Sequence, residues 1–350
     1  MHFSKEITGW YHQNKRDLPW RNTVNPYKIW LSEVILQQTR VVQGLSYYLK
    51  FIEHFPSVQD LANAKEEQVL KLWQGLGYYS RARNLHFAAK QVLETFNGVF
   101  PTSYSDLITL KGVGDYSASA ISSFCADEKQ AVVDGNVYRV LSRFFGIEDA
   151  IDSTSGKKAF KKLAEEVLDN RQPGLHNQAI MEFGALQCVP KNPTCEKCPL
   201  QNSCFAFANS KIDSLPRKDK KTKQRNRYFN YLVIHHKNST YIEQRIGKGI
   251  WENLYQFPLI ESVKKTVIDN LIQTKEWETI FKNSSYNIET VHVDVKHVLS
   301  HQIIYATFIE VEVLGNFDTS YKKINYHELE QFPVPVIISN FIERSPSIIP

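Results

Sequence analysis

The spacing of apolar side chains changes once along this chain, and the change falls on a stretch that cannot fold by itself. Residues 210–227 read SKIDSLPRKDKKTKQRNR, dense in lysine and arginine and nearly devoid of apolar side chains. Such a segment buries too little surface to offset the entropy of ordering it, so it reads as a solvated basic linker suited to lie along a polyanion. Upstream, apolar residues recur at every third and fourth position, the spacing of helices. Downstream they alternate, in YLVIHH, TYIEQR, NLYQFPLI, ETVHVDV and IIYATFIEVEV, with helical stretches near Lys264 to Ile272 and Trp277 to Phe281. The chain is expected to be multi-domain: an all-α part over 1–208, a basic linker over 209–227 and an α+β part over 228–350.

The length of 350 residues allows two or three domains, and 42% hydrophobic content is ample for packed cores and excludes a disordered chain. A net charge of +5 is compatible with nucleic acid without requiring it. No basic start leads into a sustained apolar run, and no apolar stretch approaches the ~20 residues of a membrane span. The expectation is a protein away from the membrane, cytoplasmic and nucleoid-associated in a bacterium or nuclear in a cell with a nucleus. Four of the five cysteines fall between Cys188 and Cys204, which points to metal binding in a reducing compartment and away from a disulfide framework.

Within the helical part, LKGVGDYSASAISSFCADEKQAVVDGN at 110–136 carries the densest signal. Gly112 and Gly114 form a turn between two helical patterns, Tyr104 to Leu110 and Tyr116 to Cys125. In the second, Ala120, Ile121 and Phe124 mark a buried side. Glycine lets backbone approach a ligand, and the helix that follows offers unpaired N–H groups, a natural seat for phosphate. Asp134 then follows an apolar run and is expected in a tight Asp-Gly turn. Asp115 is an acid where phosphate should approach, and is expected to serve as an N-cap.

Three further stretches add polar groups to this frame. In PYKIWLSEVILQQTRVVQG at 26–44, Ile29, Trp30, Val34, Leu36 and Val41 predict one mostly buried helix. Glu33 is then a carboxyl in apolar company, with the raised pKa that suits a proton donor. QGLGYYSRARN at 74–84 places Tyr78 and Tyr79 beside Arg81 and Arg83 in a glycine turn, aromatics for stacking on bases and arginines for phosphates. KRDLPWR near the start puts Arg16, Trp20 and Arg21 together, with Pro19 ending any helix.

The cysteines follow C-x6-C-x2-C-x5-C at Cys188, Cys195, Cys198 and Cys204. Four thiolates can hold one [4Fe–4S] cluster or one zinc ion, but structural zinc sites favour two closely spaced pairs, and only the middle two here are so spaced. Cys125 lies outside the pattern and reads as a core thiol.

Hairpin, aspartate and cysteines together resemble the helix-hairpin-helix base-excision DNA glycosylases of the endonuclease III and MutY branch, and the resemblance to the MutY adenine glycosylases spans nearly the whole chain. It implies a [4Fe–4S] cluster on the four cysteines of loop 188–204. It also implies a catalytic acid at Glu33, a second carboxylate facing the sugar at Asp134, Gln38 and Tyr78 inserted in the duplex, and Thr39 on DNA beside them. Gly112 and Gly114 would seat DNA, and Arg16, Trp20 and Gln178 would line an adenine pocket. In bifunctional relatives a lysine stands six residues after the leucine that opens the hairpin; here that residue is Tyr116, which resembles the monofunctional members.

EQRIGKGIWENLYQFP at 243–258 is similar to the entry of the MutT-like Nudix domain that MutY proteins carry. The REXXEE core of the Nudix catalytic box is absent, so the domain is expected to recognise and not to hydrolyse. Its LSH at 299–301 resembles the family's FSH loop for reading 8-oxoguanine, through Ser300 and His301, with Leu299 where phenylalanine is usual. The implied activity is removal of adenine opposite 8-oxoguanine or guanine in double-stranded DNA, by a monomer. Two rival readings are a bifunctional endonuclease III-like glycosylase and lyase, and a non-catalytic iron–sulfur redox sensor that binds DNA.

Overall fold

A computed structural model describes residues 2–219, 224–282 and 284–345. Part of the expected linker, 220–223, and the last five positions of the expected second domain lie outside these. Among the described residues twelve α-helices precede the first strand: α1 His2–Asn14, α2 Pro26–Leu36, α3 Val41–His54, α4 Val58–Asn63, α5 Glu66–Leu72, α6 Ser80–Phe96, α7 Tyr104–Leu107, α8 Asp115–Ala126, α9 Gly135–Phe145, α10 Thr154–Val167, α11 Pro173–Leu186 and α12 Phe205–Ala208. Contacts divide the chain into two units. One takes the described residues of Met1–Ala64 and Asn84–Lys220, the other those of Lys65–Arg83 and Lys221–Pro350.

The first unit is helical. Val137, Val140 and Leu141 put an apolar stripe on α9, which buries it against Ile180 and Phe183 of α11, Phe160 of α10 and Ile7 of α1. Helix α2 is buried nearly all round, over Tyr27 and Ile29 to Ile35, and not along one stripe only. Pro26 opens it at the first helical position with Asn25 as cap. The expected single helix over 26–44 is in fact two, α2 and α3, broken at Gln37 to Arg40. Its neighbour α8 is built of small residues, Ser117 to Ser123 all buried, so two backbones can approach closely. Pro19 ends no helix but starts a short 3-10 turn, Pro19–Arg21.

In the second unit β1 (Arg225–His235) is central to a four-stranded sheet, ordered β4-β1-β6-β5, with β4 at Leu259–Ser262, β5 at Ser285–Val298 and β6 at Gln302–Leu314. β1 runs parallel to β6, from Arg225 opposite Gln302 to His235 opposite Glu312. A second sheet, β3-β2-β7, takes β2 (Ser239–Gln244), β3 (Tyr255–Gln256) and β7 (Lys322–Asn325). NLYQFPLI, expected as one strand, is split at Pro258 between the two sheets, because proline cannot donate to a ladder. Helices α13 (Ile268–Leu271) and α14 (Lys275–Phe281) cover one side, with Trp277 and Phe281 in the core. The last helix, α15 (Val336–Arg344), stacks Phe341 on Phe308 at 3.9 Å.

Candidate active site

Helix α2 carries Glu33 into a cleft of about 740 Å³ in the first unit. Arg16, Trp20, Gln38, Thr39, Tyr116, Asp134 and Gln178 line the same cleft, so four separate stretches of sequence converge there. Glu33 is 7% exposed, and burial pushes its carboxyl up to about 7, with the nearby Asp134 charge adding to the rise. Tyr116, at the start of α8, donates its hydroxyl to Glu33 Oε2 at 2.8 Å, which partly offsets the effect of burial.

Asp134 does not sit in a tight Asp-Gly turn. It is the N-cap of α9, with Oδ1 accepting from the backbone N–H of Asn136 at 2.9 Å and of Val137 at 2.8 Å. Asn136 Nδ2 also donates to Oδ2 at 2.8 Å. Burial raises the Asp134 pKa, while these three donors and the charge of Arg139 pull it down. On balance its pKa is raised, as that of Glu33 is, although the helix N-terminus and its donors favour the charged form. Two acids in one cleft, one of them capping a helix and held by three donors, can divide proton donation from charge stabilisation.

The floor of the cleft is an ion cluster. Glu182 is 1% exposed and accepts from Arg16 Nε at 2.8 Å and Nη2 at 2.5 Å, and from Arg21 Nη1 at 2.8 Å and Nη2 at 2.6 Å. Burial works to raise its pKa, but the bonds from Arg16 and Arg21 hold it at about 2. Gln178, one turn earlier on α11, accepts from Tyr11 at 2.7 Å. Trp20 lies edge-on to Tyr48, 5.1 Å between ring centroids. Sequence reasoning missed Glu182. The available signal was its place four residues after Gln178, on the same helix face, as the one charge in NQAIMEFGALQC. It also missed Gln37, which lines the cleft and donates to Ser117 at 3.2 Å, and Asn136.

Gln38 and Tyr78 share an unusual backbone, with φ of 56° and 48°. Left-handed conformation in residues other than glycine costs free energy and clusters at functional positions. Tyr78 is 45% exposed and belongs to the second unit, outside the cleft. Its arginine neighbours are not free for phosphate. Arg81 is buried with its guanidinium 5.0 Å from the Trp73 ring, and Arg83 is ion-paired to Glu252. Ser300 and His301 sit in the short turn between β5 and β6, closed by Leu299 N–H on the Gln302 carbonyl at 2.8 Å.

At the hairpin, Gly112 adopts φ of 79° and a Cβ there would meet Asn84 at 2.7 Å. Gly114 has an ordinary φ, is the N-cap of α8, and has open space where a Cβ would stand. Asp115 is therefore not the cap. It accepts from Tyr104 at 2.9 Å and pairs with Lys161 at 3.3 Å.

Arginines of α9 organise the cysteine loop. Arg143, 2% exposed, donates to the carbonyls of Val189, Pro190 and Leu215 and to Cys188 Sγ at 3.5 Å. Arg139 joins Asn136 Oδ1 at 2.9 Å to the Cys188 carbonyl at 2.6 Å, so a continuous chain of hydrogen bonds runs from Asp134 to the loop. Burial raises the pKa of Cys195 and Cys198, and the charges of Cys188 and Cys204 add to the rise in both. Among the described residues no group of three or more histidine, cysteine or acidic side chains is arranged to hold a metal ion. Four thiols in one loop braced by Arg143 are the donor set that an iron–sulfur core takes. No helix among the described residues is long and apolar enough to cross a membrane.

Two family models match the chain, HhH-GPD superfamily base excision DNA repair protein over residues 31–168 and NUDIX domain over 230–344. An adenine DNA glycosylase of Buchnera aphidicola subsp. Baizongia pistaciae is 35% identical over 331 residues, 93% of this chain and 91% of that protein. The adenine DNA glycosylase of Mus musculus is 44% identical over 214 residues, 59% of this chain and 42% of its own length. Among solved structures, a thermostable thymine-DNA glycosylase aligns with a TM-score of 0.55 at 29% identity, covering 59% of this chain and 96% of its own. The chain belongs to the adenine DNA glycosylase family, and is a DNA N-glycosylase of base excision repair built from a helix-hairpin-helix part and a Nudix-like part.

Proposed function

We propose that this protein removes adenine standing opposite 8-oxoguanine or guanine in duplex DNA, hydrolysing the N-glycosidic bond without cutting the strand. The observation that carries the reading is the pairing in one cleft of Glu33, a buried carboxyl whose pKa is pushed up to about 7, with Asp134, which caps the N-terminus of α9. Among the described residues the lining of that cleft includes no lysine, which disfavours the lyase alternative. Two carboxyl groups lining one cleft also disfavour a DNA-binding redox sensor without catalysis.

Adenine must leave the stack before it can be cut; Gln38 would wedge into the duplex, Thr39 would bind DNA, and Tyr78 would intercalate beside the damaged base. Arg16, Trp20, Gln178 and Glu182 would receive the base. Glu33 gives its proton to N7, the bond from C1′ to N9 breaks with its electron pair passing to the purine, and Asp134 faces the cationic sugar. A unit charge ~4 Å from that cation at an effective dielectric of ~20 contributes about 4 kcal/mol, roughly a thousandfold in rate. Water then adds its oxygen to C1′ and returns a proton to Glu33.

The hairpin at Gly112 and Gly114 would seat the backbone, and Ser300 and His301 would read the base opposite adenine. In this division the first unit does the chemistry and the second, which takes in residues 65–83 and the strands from Arg225 onward, recognises the lesion, in a monomer working at the nucleoid. Cys188, Cys195, Cys198 and Cys204 would hold a [4Fe–4S] cluster, which when bound supplies a cross-link for the loop and a one-electron redox centre.

Single-turnover excision on duplexes with adenine opposite 8-oxoguanine, guanine and thymine tests the proposal. Cutting is expected on the first two and not on the third. Replacing Ser300 and His301 by alanine should slow the 8-oxoguanine duplex about tenfold or more, through lost polar contacts, and the guanine duplex much less. Equal cutting opposite thymine would sink the proposal.

A further inference from the structure

Residues 65–83 lie in sequence among helices of the glycosylase part, yet they cluster with the strands of the second unit. Several hydrogen bonds make the attachment, among them those of Glu67 with Tyr255 and of Gln74 with Ser339, and two of the contacts fall within 78–83. At one end of the 78–83 turn the Tyr78 hydroxyl meets Ser300 Oγ at 2.6 Å. At the other, Arg83 donates through Nη1 to the Glu252 carbonyl at 2.9 Å and through Nη2 to its carboxylate at 2.8 Å. Glu66 adds another grip, accepting from Asn253 Nδ2 at 2.6 Å.

The gripped loop is itself strained. Trp251 and Asn253, on either side of Glu252, have φ of 58° and 66°, a conformation that persists only where surroundings over-determine it. Trp251 is buried and its ring lies 5.8 Å from that of His297, three residues before Ser300. A path of packed groups thus runs from Arg83 through Glu252 and Trp251 to His297, and returns to the same turn through Ser300 and Tyr78. Both ends of the 78–83 turn are held by one ring of contacts. The pair is also shielded, with the Arg83 and Glu252 side chains 17% and 29% exposed, so it is stronger than an open surface pair.

We infer that Arg83 and Glu252 are positioning residues, a clasp that sets the register between Tyr78 and the Ser300 turn so that the two meet the base opposite adenine as one unit. This rests on the reading of the 299–301 turn proposed above. Neither residue needs to touch DNA for this. The clasp acts by limiting where Tyr78 can stand, so its loss should affect discrimination between opposite bases more than excision itself.

The test compares the ratio of excision opposite 8-oxoguanine to excision opposite guanine, in the full-length protein. Glu252→Ala and Arg83→Ala should each lower that ratio about tenfold, in the range of couplings carried through packed networks. Glu252→Ala should leave the single-turnover rate opposite guanine, at saturating enzyme, within about twofold of the parent. Repeated in a Ser300→Ala background, the same substitutions should lower the ratio no further, because the contact they act through is already gone. A general loss of stability would lower both backgrounds alike, so equal falls would overturn the clasp, as would an unchanged ratio in both single variants. If Glu252→Ala melts early, Glu252→Gln, which keeps shape and loses charge, replaces it with the same expectation. Absence of any preference in the unaltered protein would end both this inference and the lesion-reading role, and is told apart because it appears without mutation.

Discussion

The Tyr116 hydroxyl donates to Glu33 Oε2 at 2.8 Å, across 83 positions of sequence, and so attaches the hairpin helix to the proposed acid. That bond pulls the Glu33 pKa down against burial, leaving it at about 7. General-acid catalysis needs the proton in place, so excision should fall as pH rises through about 7. Tyr116→Phe removes the donor that favours the charged form, and should move this alkaline limb to higher pH while lowering the plateau rate. A pH–rate profile of single-turnover excision checks it; an unmoved limb would mean that Glu33 is not the titrating group.

The same burial has a cost in stability. In the unfolded chain Glu33 ionises near its ordinary value of 4.5, whereas in the fold it keeps its proton to about 7. Between those values the native state binds more protons, so stability falls as pH rises, and the whole loss is present above about 7. At 1.36 kcal/mol per pH unit the loss is about 3 kcal/mol. Glu33→Gln should therefore raise the melting temperature at pH 8 and leave it unchanged at pH 4, while abolishing excision. Denaturation at the two pH values separates this from a uniform effect.

Glu182 shows the opposite sign. Its pKa of about 2 means that its ion pairs stabilise the fold fully above its ordinary value, and that this contribution is lost as pH falls toward 2. Glu182→Ala leaves Arg16 and Arg21 without their shared partner and should cost about 3 kcal/mol or more. Additional truncation of Arg21 should recover part of that in a double-mutant cycle; strict additivity would show that the cluster is not a unit.

Tyr116 offers no amine to condense with an opened sugar. Borohydride should trap little of the unaltered protein on DNA, and Tyr116→Lys should trap more. Efficient trapping without the substitution would restore the lyase reading.

Iron analysis of protein purified without oxygen should give about four irons per chain, as one cube held by four cysteines requires. Arg143→Ala frees three carbonyls of the loop and its flank, and should lower iron content and speed cluster loss in air. One zinc per chain and no iron would refute the assignment.

The change from helical to strand-rich composition was legible because it rests on local properties, but the expected solvated linker over 209–227 is not all linker: Leu215 is buried under Arg143 and β1 already begins at Arg225. Apolar spacing and the density of charge in 210–227 decide secondary structure over a few residues at a time. The same holds for α9, whose stripe of Val137, Val140 and Leu141 is evident in one dimension. Glu33 was identified as a buried acid because its immediate neighbours on α2 are apolar. Local signals also misled. VVDGN reads as a tight turn, but with a helix following it Asp134 is an N-cap, and Pro258 divided a stretch that alternation alone made a single strand.

Sequence by itself determined the class of each part, the four thiolates and the identity of both carboxyl groups, since these depend on composition and short spacings. Only tertiary structure decided their chemical states. Glu33 owes its raised pKa to burial on all sides of α2, and Glu182 owes its low one to two arginines more than 160 residues earlier. The membership of residues 65–83 in the strand-rich unit is likewise absent from any local pattern. Desolvation and ion pairing depend on what surrounds a group in three dimensions, and the chain brings those surroundings together from positions far apart in sequence.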